Sequence, residues 1–305
     1  MSLYGALPAR FRRERILIIG CGDVGQRVAR DLQGRPVRLM ALTSSPGRVP
    51  ALRRLGITPL VGNLDERRSV ARLAGLATRV LHLAPPPGEA NDWRRDPRSR
   101  ELVRALMQRS APAALVYGST TGVYGDRQGR WTDESTPCAP LTPRAWRRVD
   151  AEASVHGFGR MTGARTTVLR IPGIYAPDRP GGTPRERLLR GTPVLQRADD
   201  VFTNHIHADD LARACRLALW RGRPQRNINV VDDSDLMMGD YYDLAADLYG
   251  LPRPPRVPRD TAREQLPLML LSFMSESRRL RNDRLRTELR LRLRYPTVRE
   301  GLASA

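Results

Sequence analysis

Lysine is missing from this chain. All 52 basic side chains are arginine, so no amine can form a Schiff base, no lysine-bearing phosphate loop is available, and no tyrosine–lysine reductase pair exists. Arginine does not replace lysine as a proton-transfer base, because its pKa stays above about 12. Cysteine is scarce: Cys21, Cys138 and Cys215 are three, odd in number and far apart. That argues against a disulfide framework and for a reducing, cytoplasmic compartment. Long apolar runs are absent too; none approaches the roughly 18 residues that cross a bilayer. The basic stretch MSLYGALPARFRRER is followed only by ILIIG, too short for a signal-peptide core. Aromatics make up 5%, which leaves few platforms for stacking bases. The formal charge of +20 would suit a polyanion, but total replacement of lysine by arginine reads as a global bias. Nucleic acid is therefore not the expected partner, and nucleic-acid binding stays as an alternative.

What is present is an alternation of strands and helices. RILIIG (15–20), PVRLMAL (36–42), TPLVG (58–62), RVLHLA (79–84) and ALVYG (114–118) are continuous apolar runs that suit strands buried on both faces. Between the first two, VGQRVARDLQG has helical spacing of Val24, Val28 and Leu32 and ends on Gly34. Asp96 before Pro97, and Thr142 before Pro143, read as helix caps. The pattern predicts an α/β fold, a Rossmann-type doubly wound parallel sheet. After TTVLRI (166–171) the alternation breaks down. A helix is expected at 207–220 and a strand at 227–231. The reading divides the chain into a dinucleotide-binding domain, 1–175, and a smaller C-terminal substrate lobe, 176–305, with 205–231 interleaved with the sheet.

Gly20, Gly22 and Gly25 in GCGDVG form GxGxxG, with Asp23 and Val24 between the last two. The motif follows a predicted strand and opens a helix, which is the context its mechanism requires. The first glycine allows the turn, the second lets a pyrophosphate approach the backbone, and the third packs helix on strand. An NAD site would place a carboxylate after the second strand to hold the ribose 2′-hydroxyl. Residues 36–50 contain no Asp or Glu and offer Thr43, Ser44, Ser45 and Arg48. Hydroxyls and a guanidinium suit a 2′-phosphate, so NADP is expected rather than NAD.

The chain resembles the extended short-chain dehydrogenase/reductase family, the NAD-dependent epimerases and dehydratases. GCGDVG, GNLDE (62–66), LHLAPPP (81–87), STTGVYGD (119–126), DESTPCAPLTP (133–143), LRIPGIYAP (169–177) and HIHADDLA (205–212) carry the likeness in family order over about residues 15–250. The resemblance implies that Asn63 and Leu64 lie beside the adenine and that Ala84 and Pro85 line the cofactor. It also implies that Thr120 is the catalytic Ser/Thr, and that Pro172, Gly173 and Ile174 pass close to the nicotinamide. Arg144 and Arg148 fall on the family's Tyr-xxx-Lys. Arg148 can inherit the lysine's hold on the nicotinamide ribose. Arg144 cannot inherit the general acid/base, because it has no exchangeable proton near neutral pH; that loss is typically worth about 10²- to 10⁴-fold in rate. The sequence is thus similar to the atypical members of the family. Arg144 is read as a clamp for an anionic ligand, with a plain surface arginine as the alternative. Tyr175 is the best-placed substitute proton donor, ahead of Tyr117 and His82. The expected function is an oxidoreductase or epimerase-like enzyme on a small, anionic substrate, with a catalytically silent NADP-binding sensor as alternative. The resemblance also implies a homodimer formed through helices near 97–110 and 143–157, with the exposed arginines on the second helix as the feature that leaves a monomer open.

No metal site is expected: His205, His207, Asp209 and Asp210 lack a further ligand at compatible spacing, and Asp210 reads as a helix cap. DDSDLMMGD (232–240) has Met237 where a calcium loop needs oxygen. SRRLRNDRLRTELRLRLR (277–294) is read as a helix with Leu280, Leu285, Leu289 and Leu291 turned inward and its arginines solvated.

Overall fold

The computed structural model describes residues 13–88 and 92–303. The apolar runs become strands: β1 (Glu14–Ile19), β2 (Val37–Thr43), β3 (Ile57–Val61), β4 (Arg79–His82), β5 (Ala114–Thr120), β6 (Arg165–Ile171) and β7 (Arg226–Asn229). They form one sheet in the order β7-β6-β5-β4-β1-β2-β3. Ile16 to Ile19 are wholly buried, because helices cover the sheet and leave no face for polar alternation. The chain order reverses between β1 and β4, which pair in parallel through Ile16–Ile19 and Arg79–His82. That is the switch point at which open α/β sheets bind ligands.

The intervening helices are α1 (Asp23–Asp31), α2 (Val49–Arg54), α3 (Arg67–Ala71), α4 (Pro97–Met107), α5 (Pro143–Thr162), α6 (Ala208–Arg221) and α7 (Met238–Tyr249). Both expected caps form. The Asp96 carboxylate accepts the Arg98 N–H at 3.1 Å, and the Thr142 hydroxyl accepts the Ala145 N–H at 3.2 Å.

Two compact units result. The first comprises residues up to Ser119, Asp150–Val168 and Cys215–Arg226; the second comprises Thr120–Val149, Leu169–Ala214 and Asn227 onward. Residues 215–226 fall in the first unit, within the stretch expected to interleave with the sheet, whereas 120–149 and 169–175 fall in the second. The first unit's core joins Leu17, Ile19, Val80, Leu102, Leu115 and Phe158. There Arg79 and Arg165 donate to the Leu219 and Trp220 carbonyls at the end of α6, placing cations at a helix C-terminus.

The second unit's core joins Tyr175, Leu195, Val201, Tyr241, Tyr242 and Leu302. Asp210, fully buried, does not cap its helix. Its carboxylate instead accepts the backbone N–H groups of Arg294, at 2.9 and 3.0 Å, and of Tyr295, at 2.9 Å. The arginine-dense stretch also departs from expectation. Its four leucines are buried, but the only helix within it is Asp283–Thr287, after a short strand Arg279–Leu280. The leucine spacing does not trace one helical stripe, and Arg290 takes a left-handed φ of 54°.

Candidate functional site

In the first unit the glycine turn joins β1 to α1. Gly20 has φ +81°, and a Cβ there would lie 2.4 Å from the Ala84 nitrogen; the turn and the segment after β4 approach too closely for any side chain. A Cβ on Gly22 would meet nothing within 4 Å, so the backbone at the start of α1 faces open space. No side chain caps α1, which leaves its first N–H groups directed at that space. Gly25 packs on β1, its Cβ position 3.2 Å from Ile18 Cγ2. These three environments fit a dinucleotide pyrophosphate. Asp23, in the first turn, accepts from Arg27 at 3.2 Å, so its charge is compensated within the helix.

Arg48 reaches back across the chain to this turn: its Nη2 donates to the Cys21 carbonyl at 2.5 Å. Thr43 is buried, and its hydroxyl is engaged with the Ser45 backbone; Ser44 is exposed. After β3, the Asn63 side-chain oxygen accepts the Asp65 N–H at 3.1 Å, and Leu64 is half-buried. After β4, Ala84 is buried and Pro85 exposed.

Sequence reasoning missed the network that ties these loops to α4. Arg98 forms a bidentate pair with Asp65 at 2.7 and 2.6 Å and donates to the Pro85 carbonyl at 3.2 Å. The Ser99 hydroxyl donates to Asp96 at 2.5 Å and lies 2.9 Å from His82 Nε2, so His82 donates to Ser99. Deeper in the unit, the Ser119 hydroxyl donates to Glu152 at 2.5 Å, both residues buried. Apart from Ser99 with Asp96, three residues apart at the helix start, these pairs have no short-range sequence signal.

In the second unit, Thr120 caps a tight turn, accepting the Gly122 N–H at 3.3 Å. Arg144 is exposed and Arg148 buried on the first turns of α5. Loss of hydration among the surrounding groups, with the Arg148 charge added, pushes the Arg144 guanidinium below its ordinary value. Gly173–Tyr175 is a short strand beside His205–His207, with Gly173 exposed and Pro172 and Ile174 half-buried. Tyr175 is buried, and its hydroxyl donates to the Thr297 carbonyl at 3.2 Å. Burial, reinforced by Asp232 and other neighbours, holds the phenol far above its usual range. Proton transfer from Tyr175 would require that bond to break. Tyr117 and His82 are likewise buried, their rings 5.1 Å apart. His205 stacks on Tyr241 and His207 on Tyr295, with centroids 4.2 and 3.8 Å apart. Among the described residues no group of three His, Cys, Asp or Glu could hold a metal ion, and no helix is long and apolar enough to cross a membrane.

Comparison with known proteins gives four findings. A model of the NAD dependent epimerase/dehydratase family matches residues 16–230. A 3-diazoavenalumate denitrifying reductase from a Streptomyces species is 26% identical over 306 aligned positions, covering 94% of this chain and 99% of the reductase. Among solved structures, a conserved protein of unknown function from Silicibacter pomeroyi is 32% identical, with a TM-score of 0.80 and coverage of 95% of this chain and 97% of the other. A UDP-glucuronic acid 4-epimerase from Bacillus cereus, solved with NAD, shares the fold at 16% identity, with a TM-score of 0.74 and coverage of 95% and 96%.

Proposed function

Since the chain belongs to the NAD-dependent epimerase/dehydratase family, we propose that it is a reductase that prefers NADP(H) to NAD(H) and acts on a small anionic substrate. The observation that carries this reading is the arginine pair on α5: two like charges four residues apart, with the Arg144 guanidinium lowered first by loss of hydration and then by the Arg148 charge. Like charges at this spacing repel, and an anion lying against Arg144 would relieve that repulsion. The relative named for 3-diazoavenalumate acts on an organic anion, which supports the same class.

The remaining roles follow from the groups each position offers. Gly20, Gly22 and Gly25, with the start of α1 at Asp23 and Val24, take the pyrophosphate. Arg48 and the exposed Ser44 hydroxyl take the 2′-phosphate; the Thr43 hydroxyl, already engaged, braces that loop. Asn63 and Leu64 flank the adenine, Ala84 and Pro85 the backbone of the cofactor, and Pro172, Gly173 and Ile174 the nicotinamide. Arg148 holds the nicotinamide ribose, Thr120 polarises the reacting group, and Arg144 holds the substrate anion. When bound, the dinucleotide supplies hydride at its nicotinamide ring. No phenol stands at 144, so the proton comes from another donor than the family's tyrosine.

Calorimetric titration is expected to give at least about tenfold tighter binding of NADPH than of NADH, as a 2′-phosphate held by arginine requires. NADPH oxidation is expected with carboxylate or organic phosphate substrates and not with their neutral esters or alcohols. Equal affinities would remove the NADP assignment, and turnover of neutral compounds would remove the anion. A dinucleotide sensor is a second reading, favoured by the commitment of the Tyr175 hydroxyl to Thr297; tight NADPH binding without oxidation across the panel selects it.

A further inference from the structure

Arg98 spends every arm of its guanidinium on two loops. Nε and Nη2 grip both oxygens of Asp65, and Nη1 reaches the Pro85 carbonyl. Asp65 is itself joined to Asn63 through the Asx turn, so the grip extends to the loop after β3. The turn that carries Arg98 is fixed from beneath. Ser99 bonds Asp96 and meets His82, the last residue of β4, and the Asp96 N–H donates to Asp150 at 2.9 Å. A groove of about 650 Å³, lined by Leu64, Asp65, Pro87 and Arg98 among others, runs alongside.

An isolated surface ion pair contributes little. This one differs on three counts. It is bidentate, the Arg98 side chain is only 24% exposed, and it bridges loops that no other hydrogen bond joins among those described. Asp65 and Arg98 also shift each other in the sense of a formed pair, the carboxyl held below and the guanidinium above its ordinary value.

We infer that Arg98 is a positioning residue for the cofactor: it staples the loop after β3 to the loop after β4 and so sets the width of the adenine pocket. The inference rests on the dinucleotide reading of the glycine turn. Arg98 acts through Asp65 and Pro85, and it sets how tightly the dinucleotide is held without taking part in chemistry.

The test compares the wild-type chain with Arg98→Ala and Arg98→Lys. NADPH dissociation constants are measured by calorimetry, and amide hydrogen exchange is measured without cofactor. Loss of a bidentate charged pair predicts NADPH binding weakened by about tenfold in Arg98→Ala. Exchange rises at 62–66 and 83–87 and stays unchanged at 16–25. Arg98→Lys keeps the charge without the fork and recovers only part of the affinity. Unchanged affinity in Arg98→Ala, full recovery by lysine, or faster exchange throughout the first unit would overturn the staple. Failure of the wild-type chain to bind NADPH would overturn the dinucleotide reading instead, and the exchange pattern would still decide whether the loops are joined.

Discussion

Two sets of arginines in this molecule meet opposite surroundings. At the start of α4, Arg98 and Arg100 each face a carboxylate in bidentate geometry, Asp65 and Asp150, and hydrogen bonding to it raises each guanidinium above its ordinary value. At the start of α5, loss of hydration and, after it, the charge of the neighbouring Arg148 hold the Arg144 guanidinium below its ordinary value. At the start of α4 the chain itself supplies the anions; for Arg144 the proposal is that the anion comes from a substrate. In a chain with +20 formal charge and no lysine, arginine density alone says nothing about function, and the surroundings of each guanidinium have to be compared.

Reversing the charge at 144 is the strongest way to break this contrast. Arg144→Glu removes the group proposed to hold the substrate anion and puts a like charge in its place, and is expected to lower kcat/KM for an anionic substrate by about 100-fold while NADPH affinity changes little. An unchanged kcat/KM would place Arg144 among the surface arginines. Arg48→Ala tests the corresponding group in the first unit. Removing the guanidinium that lies on the Cys21 carbonyl should weaken NADPH binding by about tenfold and leave NADH binding nearly unaltered. Parallel losses for both cofactors would mean that Arg48 only braces the turn.

Among the paired arginines the effect moves to stability. Burial pushes the Asp150 carboxyl up, but hydrogen bonds from Arg100 and the Asp96 N–H outweigh it and leave the carboxyl below its ordinary value. Its folded-state pKa is thus depressed, so the contribution is present above the unfolded carboxylate value near 3.9 and is lost as pH falls through the folded value. Asp150→Asn should cost about 1 kcal/mol at pH 7, read from urea midpoints, and should flatten the acid limb of the stability profile. A variant curve parallel to the wild type in acid would contradict this. The smallest effect belongs to Arg253, whose bidentate pair with Asp247 lies in water. Arg253→Ala should leave the thermal midpoint within experimental scatter, and a clear drop would mean that pairing geometry matters even without burial.

The parts of the fold and site that were readable from sequence are the local ones. The glycine motif, the apolar runs and both helix caps announce themselves within a few residues, because backbone turns, strand burial and capping are short-range physics. What escaped was set by distance along the chain. The Arg48 contact to Cys21 spans 27 residues, Arg98 to Asp65 spans 33, and Tyr175 to Thr297 spans 122. In a chain this rich in arginine, no pattern says which guanidinium will find which carboxylate. The leucines of 277–294 were correctly placed inward, yet one continuous helix was the wrong container for them. Asp210 reads as a cap because of its neighbours, yet beside the local pair with Arg213 its carboxylate takes backbone N–H groups 84 and 85 positions away.

That last pairing bears on how the molecule is made. The carboxylate of Asp210 sits in the interior, paired with Arg213 at 2.6 Å and accepting the N–H groups of residues 294 and 295, and a buried anion that lacks part of this compensation is costly. Translation delivers residue 210 long before residues 294 and 295, so the second unit cannot complete its folding on a ribosome that is still short of them.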